Sequence, residues 1–231
     1  MITTWLKFWD SSHSIYVNAR HKDVHYRLIA QAIARLVPGP SARVLDYGCG
    51  EACHADVVAA AAGEVVLCEG APGLRAALAA RFAGSPAIRV VAPDDVARFP
   101  DRCLDLIVLH SVAQYLTPDQ LGKLLTLFHR LLRGDGTLIV SDIIAPQVVA
   151  ITDAVALVRF GAANGFLFAA LLGLVRTRLS DYWRLRQRLG LTRYGEAAMI
   201  DKLSAAGFAA RRAAANIGHN QARMTFVARP R

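Results

Sequence analysis

Val44-Leu45-Asp46-Tyr47-Gly48-Cys49-Gly50-Glu51-Ala52 is the stretch that decides how the chain folds. A short apolar strand runs into an acid, then into two glycines one residue apart, with an alanine-rich helical pattern behind them. Glycine has no Cβ, so the backbone can turn sharply there and approach a ligand closely. The helix start that follows offers unpaired N–H groups and partial positive charge. This is the nucleotide-cradling corner of a doubly wound α/β fold. The dinucleotide pattern G-x-G-x-x-G needs a third glycine at position 53, where Cys53 stands. A nicotinamide-dependent oxidoreductase is therefore the weaker of the enzyme readings.

Further segments follow at regular intervals. Glu64-Val65-Val66-Leu67-Cys68-Glu69 reads as a second buried strand ending in an acid, placed to accept hydrogen bonds from ribose hydroxyls. Ala87-Ile88-Arg89-Val90-Val91 leads to Asp94-Asp95, Leu104 to Leu116 contains a fourth strand ending at His110, and Leu131 to Val140 reads as helix end, glycine turn and fifth strand. In this order, over residues 43–142, the segments resemble class I S-adenosylmethionine (SAM)-dependent methyltransferases, in particular the small bacterial ubiquinone/menaquinone-biosynthesis-like, methyltransferase type 11 group. That family usually has another glycine where Ala52 stands. The resemblance implies SAM as cofactor, with Asp46, Gly48, Cys49, Gly50, Glu69 and Gly70 around it and Asp94 or Asp95 near the adenine amino group. It places His110 beside the transferred methyl, as cofactor contact or general base, with His219 and Tyr194 as weaker candidates at the same end and Tyr115 packing in the fold or bordering the cofactor. A leading helix folds over the cofactor in such enzymes, which makes Tyr16, Arg20, His21 and Tyr26 lid candidates.

The implied architecture is α/β: a Rossmann-like, seven-stranded, mostly parallel sheet with helices on both faces and a helical cap inserted before the last two strands. The expected divisions are 1–40 (lid segment and helix), 41–142 (SAM-binding core), 143–191 (cap) and 192–231 (closing helix and antiparallel strand pair). Apolar spacing predicts a helix over 23–37, stopped by Pro38-Gly39-Pro40. Thr117-Pro118 starts another. Toward the C-terminus a helix over 192–206 ends at Gly207, and strands over 208–217 and 222–228 are joined by the turn Gly218-His219-Asn220-Gln221. The cap region 148–175 has only Asp153 and Arg159 as charges, and is expected as two apolar helices broken near 161–165, followed by an amphipathic helix over 178–188. The uncharged run 160–175 is shorter than the roughly 20 residues of a membrane span.

Composition narrows the partners. The 231 residues carry a formal net charge of +9, and residues 176–231, with 12 Lys+Arg against 3 Asp+Glu, account for all of it. Such a local basic block suits an anionic partner, and together with the apolar cap it suggests an anionic membrane surface contacted through the Arg176–Arg193 region. An apolar cap implies a small, largely apolar acceptor such as a lipid, quinone, isoprenoid or secondary metabolite, or else a homodimer interface. Nucleic acid is disfavoured: His110-Ser111-Val112-Ala113 occupies the place of the Asp/Asn-Pro-Pro-aromatic motif of base-modifying methyltransferases, and no RNA-binding module accompanies the domain. The four cysteines, 49, 53, 68 and 103, are read as reduced thiols of a cytosolic protein, with no metal site, since Cys49, Cys53 and His54 lack a second ligand pair. Residues 1–20 do not have the pattern of a signal peptide. A non-catalytic interaction module on the same fold is the remaining alternative.

Overall fold

A computed structural model describes residues 2–11, 16–178 and 181–231. Helices α1 (Ile2–Trp9) and α2 (Ala19–Ala34) precede the sheet. The core then alternates β1 (Arg43–Tyr47), α3 (Ala55–Ala59), β2 (Glu64–Cys68), α4 (Pro72–Arg81), β3 (Ile88–Val91), α5 (Pro93–Ala97), β4 (Leu104–His110), α6 (Pro118–Leu131) and β5 (Leu132–Ile143). Three cap helices follow, α7 (Ala150–Ala163), α8 (Leu167–Arg178) and α9 (Asp181–Leu189), then α10 (Glu196–Ala205), β6 (Phe208–Arg212) and β7 (Met224–Pro230).

The seven strands run in the order β3-β2-β1-β4-β5-β7-β6, with β7 antiparallel to both β5 and β6 and the other pairs parallel. The fold class implied by the sequence is the one observed. Alternation along the strands explains why both faces are covered. Val44, Val65, Leu67, Leu106, Val108 and Ile139 pack toward α2, α3 and α4. Their neighbours Leu45, Val66, Ile107, Leu109, Leu138 and Val140 pack toward α5, α6 and α10. Strands buried on both sides read as continuous apolar runs, which is what the sequence shows. The chain winds outward from β1 to β3 and returns to place β4 on the other side of β1. That reversal leaves a crevice at the carboxyl ends of β1 and β4.

Several boundaries differ from the sequence reading. Helix α2 begins at Ala19, because the Asn18 side chain accepts the His21 N–H at 2.8 Å and caps it. The glycine turn before the fifth strand is absorbed into β5: the register passes from Leu104↔Leu132 to Leu106↔Thr137, so Arg133 to Gly136 bulge out of the ladder. Helix α10 starts at Glu196, later than expected. The last strand pair is shorter on one side. Its pairing ends at Arg212↔Phe226, and residues 213–223 leave the sheet as a loop that reaches the crevice. The helix expected over 178–188 is observed as α9, while Leu179 and Ser180 lie outside the described residues.

The cap helices break where the sequence suggested, at Asn164-Gly165, with Gly165 at φ +73°. Small residues set how closely α7 and α8 pack. A Cβ on Gly161 would stand 3.0 Å from Ala170 Cβ and 3.3 Å from the Leu167 backbone. Arg20 of α2 donates from Nε to Asn164 O, joining the leading helix to this break. Gly161→Leu is expected to force the hairpin apart at a cost of about 1–3 kcal/mol. Limited proteolysis should then cut within 150–178 faster than in wild type, with the core fragment left intact.

Candidate active site

The crevice opens into a single cavity of about 1010 Å³ that β1, β2, β4, α1, α2, α7 and the 213–223 loop all line. That is at the top of the roughly 300–1,000 Å³ range of small-molecule sites, enough for two ligands side by side.

One end is built by the glycine turn. Gly48 and Gly50 have φ of +77° and +59°, and Ala52 follows at +41°. A Cβ on Gly48 would lie 2.5 Å from Val112 Cγ2, so only glycine fits between β1 and the segment after β4. Tyr26 Oη, from α2, accepts the Glu51 N–H at 3.0 Å and closes the turn from above. Glu69 lies beneath, 7% exposed: its Oε2 accepts the Gly50 N–H at 3.0 Å and its Oε1 accepts the Ala71 N–H at 2.8 Å. A carboxylate has about four lone-pair sites, so two remain for a pair of hydroxyls. Burial and the nearby Glu69 raise the pKa of Asp46 to about 7. Gln114 Oε1 is a buried acceptor with no partner, on a residue lining the same cavity. These features fit an adenosyl ligand with a ribose diol and a protonated amine.

Of the residues predicted from the sequence, Tyr16, Asp46, Gly48, Cys49, Gly50, Glu69, Gly70, Asp94 and His110 all line the cavity. Asp95 does not; its carboxylate accepts the Ala92 N–H at 3.0 Å and caps α5. Tyr194 is buried outside the cavity, its N–H donated to Ile144 O. Trp5, Leu6 and Trp9 of α1 also line the cavity, and Trp5 and Trp9 pack on Tyr115 with ring centroids 4.7 and 5.7 Å away. Asp10 Oδ1 accepts the Gly73 N–H at 2.6 Å, so the N-terminal segment caps α4.

The other end is a chamber of histidines and charges. His21 and His25 stand one turn apart on α2, His110 ends β4, and His219 is carried in by the 213–223 loop. His110 Nδ1 lies 2.9 Å from Ser141 Oγ, and its Nε2 lies 3.4 Å from Ser111 Oγ. Ser111 donates to Asp142 Oδ2, and both residues hold left-handed backbone, φ +55° and +64°, a strain of the kind found at functional sites. Arg223 ties this end together, with Nη1 2.6 Å from Asp142 and Nη2 3.2 Å from Asp153 of α7. Burial would raise the Asp142 pKa, but Arg223, His110 and the Ser111 hydrogen bond outweigh it and hold it low. All four histidines are pushed down by burial, His21 to about 4 and His25 to about 3.

The sequence reading missed His25, Asp142, Asp153, Arg223 and Gln114. His21 and His25 sit at i and i+4 on a predictable helix, a signal that was present. The others reach the site through long-range packing and had no local signal. Cys49, Cys53, Cys68 and Cys103 are free thiols, and His54 pairs with Asp23 at 2.8 Å.

The histidine shifts have a stability consequence. Unfolded histidine titrates near 6.5 while folded His21 titrates near 4, so between these values the unfolded chain binds more protons. This contribution to stability is therefore lost as pH falls from about 7 toward 4. Asp46, raised toward 7, acts in the opposite direction. Comparing wild type with His21→Phe removes that common term. The unfolding free energy of wild type relative to the variant should fall between pH 7 and pH 4 in urea titrations; a constant difference would contradict the burial of a neutral ring.

Comparison with known proteins agrees with this fold. Residues 45–140 match the family model described as a methyltransferase domain. No curated protein matches the chain in sequence. Among solved structures, magnesium protoporphyrin IX methyltransferase from Synechocystis PCC 6803, solved with SAM bound, is similar over 100% of this chain and 97% of its own, with 16% identity and a TM-score of 0.60. A Burkholderia thailandensis 1,6-didemethyltoxoflavin-N1-methyltransferase is similar over 87% of this chain and 78% of its own, with 18% identity and a TM-score of 0.54. A pyocyanin biosynthetic protein is similar over 89% of this chain, with 17% identity and a TM-score of 0.57; the chain spans about half, 55%, of that protein's length. At these identities the structural likeness carries the fold alone. Residues 45–140 match a methyltransferase domain, and the sheet they belong to has the fold of solved methyltransferases.

Proposed function

We propose that the chain moves a methyl group from SAM to a small, largely apolar or amphipathic molecule held in the histidine-lined chamber. The observation that carries this reading is the glycine turn over Glu69, with two unused lone-pair sites on a buried carboxylate. SAM supplies an electrophilic methyl on a sulfonium whose departing thioether is neutral. The chain's part is alignment and exclusion of water. Gly48 and Gly50 let the backbone close in, Glu69 takes the ribose hydroxyls, Gln114 and Asp46 take the amino end, and α1 and α2 cover the crevice. The 1,6-didemethyltoxoflavin and magnesium protoporphyrin IX methyltransferases of similar fold are named for small acceptors, which supports this reading.

His110 is the group placed to take a proton. When Nδ1–H is donated to Ser141 Oγ, Nε2 keeps a lone pair, and Ser111 Oγ, 3.4 Å away, leaves it unengaged because its only hydrogen is donated to Asp142. Burial keeps the ring neutral, and the Asp142 carboxylate favours the imidazolium that proton uptake creates. Gly48→Val is the direct test of the cofactor reading. It should abolish SAM binding in calorimetry while the fold, followed by circular dichroism, persists; retained affinity would place the cofactor elsewhere.

We also propose that the cap rests on an anionic lipid surface. Gly161 of α7 and Ala170 and Gly173 of α8 are buried, whereas Ile151 and Val155 on α7, and Phe168, Leu171, Leu172 and Val175 on α8, are exposed, Phe168 at 86%. This reverses the usual amphipathic order. From the cap, Asp153 and Leu157 of α7 line the cavity. Exposed Arg159, Arg176 and Arg188 accompany the stripe, a charge pattern that attracts anionic lipid and opposes pairing with a second copy. Among the described residues no helix is long and apolar enough to cross a membrane, so the contact would be interfacial. Vesicles of phosphatidylglycerol should co-sediment the protein and those of phosphatidylcholine should not, and Phe168→Asp should weaken the binding by roughly ten-fold. A concentration-dependent dimer that ignores vesicles would overturn this assignment.

A further inference from the structure

We infer that His21 and His25 form a socket that holds a hydroxyl of the acceptor, an enol or phenol on a flat molecule, by giving one hydrogen bond and taking another. The inference rests on the proposed function, in that the chamber beside the cofactor crevice is taken as the acceptor site.

The two rings have an unusual hydrogen-bond inventory. His21 is 5% exposed, and its Nδ1 accepts the Val17 N–H at 3.3 Å. The neutral ring must then carry its proton on Nε2, which is buried with no partner. His25 Nδ1 is likewise buried and unpartnered. A lost hydrogen bond at a buried polar atom is costly, and native interiors seldom leave two such atoms on adjacent turns of one helix face. Both residues line the cavity, with ring centroids 6.0 Å apart.

Aromatic walls surround them. His21 stacks on Phe166 at 5.0 Å, His219 stacks on Phe160 at 4.5 Å, and Tyr16 packs edge-on to His21 at 5.4 Å. Asn18, capping α2 through the His21 N–H, fixes where this helix turn begins. The Arg20 bond to Asn164 holds it against the cap. The orphaned nitrogens are thus fixed by the fold.

Chemistry selects the ligand. A hydroxyl offers one donor and two acceptor sites in the smallest volume, so its oxygen can accept His21 Nε2–H while its hydrogen goes to His25 Nδ1. An ammonium cannot accept from His21. A carboxylate or phosphate has no hydrogen to give and would require charged imidazoles, whereas burial keeps both rings neutral at pH 7. An ether or carbonyl satisfies only the first bond in this arrangement.

Three probes of similar size separate these cases: 1-naphthol, 1-methoxynaphthalene and 1-methylnaphthalene, titrated into the full chain in the presence of S-adenosylhomocysteine. 1-Naphthol should bind about ten-fold or more tightly than either of the others. His21→Phe, which keeps the ring, and His25→Phe should each erase most of that preference while S-adenosylhomocysteine affinity is kept; if one variant fails to fold, the other carries the test. Equal binding of the naphthol and its methyl ether, or a preference that survives both substitutions, overturns the socket. Absence of S-adenosylhomocysteine binding in wild type would instead overturn the methyltransferase reading, so the two failures are distinguishable.

Discussion

Both oxygens of the buried Glu69 carboxylate are tied to backbone N–H groups, one on Gly50 and one on Ala71. This single side chain joins the turn after β1 to the turn after β2. The two turns form opposite walls of the crevice, and their spacing is set by the carboxylate between them. Gly48 and Cys49 strengthen the link by both donating to Cys68 O, at 2.8 and 3.2 Å. A buried acid pinned in this way keeps lone pairs directed outward that no protein group uses, which makes it a rigid acceptor for a ligand's hydroxyls rather than a mobile one. The nearby Asp46 is the counterpart. Desolvation and the Glu69 charge raise its pKa, so an incoming cation at that end relieves a like-charge contact already present in the protein.

The legibility of the chain follows the range of the interactions. Strands β1 to β5 were readable because each is buried on both faces and declares itself as an apolar run. The crevice was readable because turn glycines and a strand-ending acid are local requirements of close backbone approach. Residues whose position depends on distant partners were not. Arg223 lies seventy residues from Asp153 and eighty-one from Asp142, yet binds both. Residues 213–217 read as the continuation of a strand because Ala213 to Ile217 is apolar or neutral in composition. In the fold, Asn216 takes the Asp142 N–H and gives its own amide to Asn220 O, which draws the loop out of the sheet and into the site. Asp95 misled for the opposite reason: beside Asp94 it looked equally eligible for the crevice, but at the third position of α5 it satisfies the free Ala92 N–H.

The cap shows how a correct element can carry the wrong orientation. Its two helices and their break were evident from composition and from Asn164-Gly165. Which face turns inward was not, because the hydrophobic periodicity of α7 and α8 is weak and the deciding feature is size. Gly161 and Ala170 meet closely, and Gly173 approaches Val17, so these three are committed to the interior and Phe168, Leu171, Leu172 and Val175 are left outside. The polarity of the acceptor chamber is then set by elements other than the cap's apolar stripe: α2, the end of β4 and the loop before β7.

These contributions converge on one arrangement of charge. Asp142, Arg223 and Asp153 link the end of β5, the start of β7 and the first cap helix, and Arg186 of α9 adds a contact to Asp153 at 3.5 Å. Ion pairs buried to this degree add little net stability compared with apolar packing, since desolvation offsets their attraction. Their value lies in position. With the cap fastened to the core at this point and to α2 through Arg20 and Asn164, the chamber is held between two anchored walls, and the histidines face each other at fixed separations. Burial in this space disfavours the charged form of the imidazoles and keeps them neutral below the pH at which a hydrated ring would take up a proton. The depressed titration of all four rings and the ion network both follow from the packing of α2, the cap and the 213–223 loop around the chamber, and a partly enclosed, desolvated space of this kind suits a displacement at a sulfonium methyl.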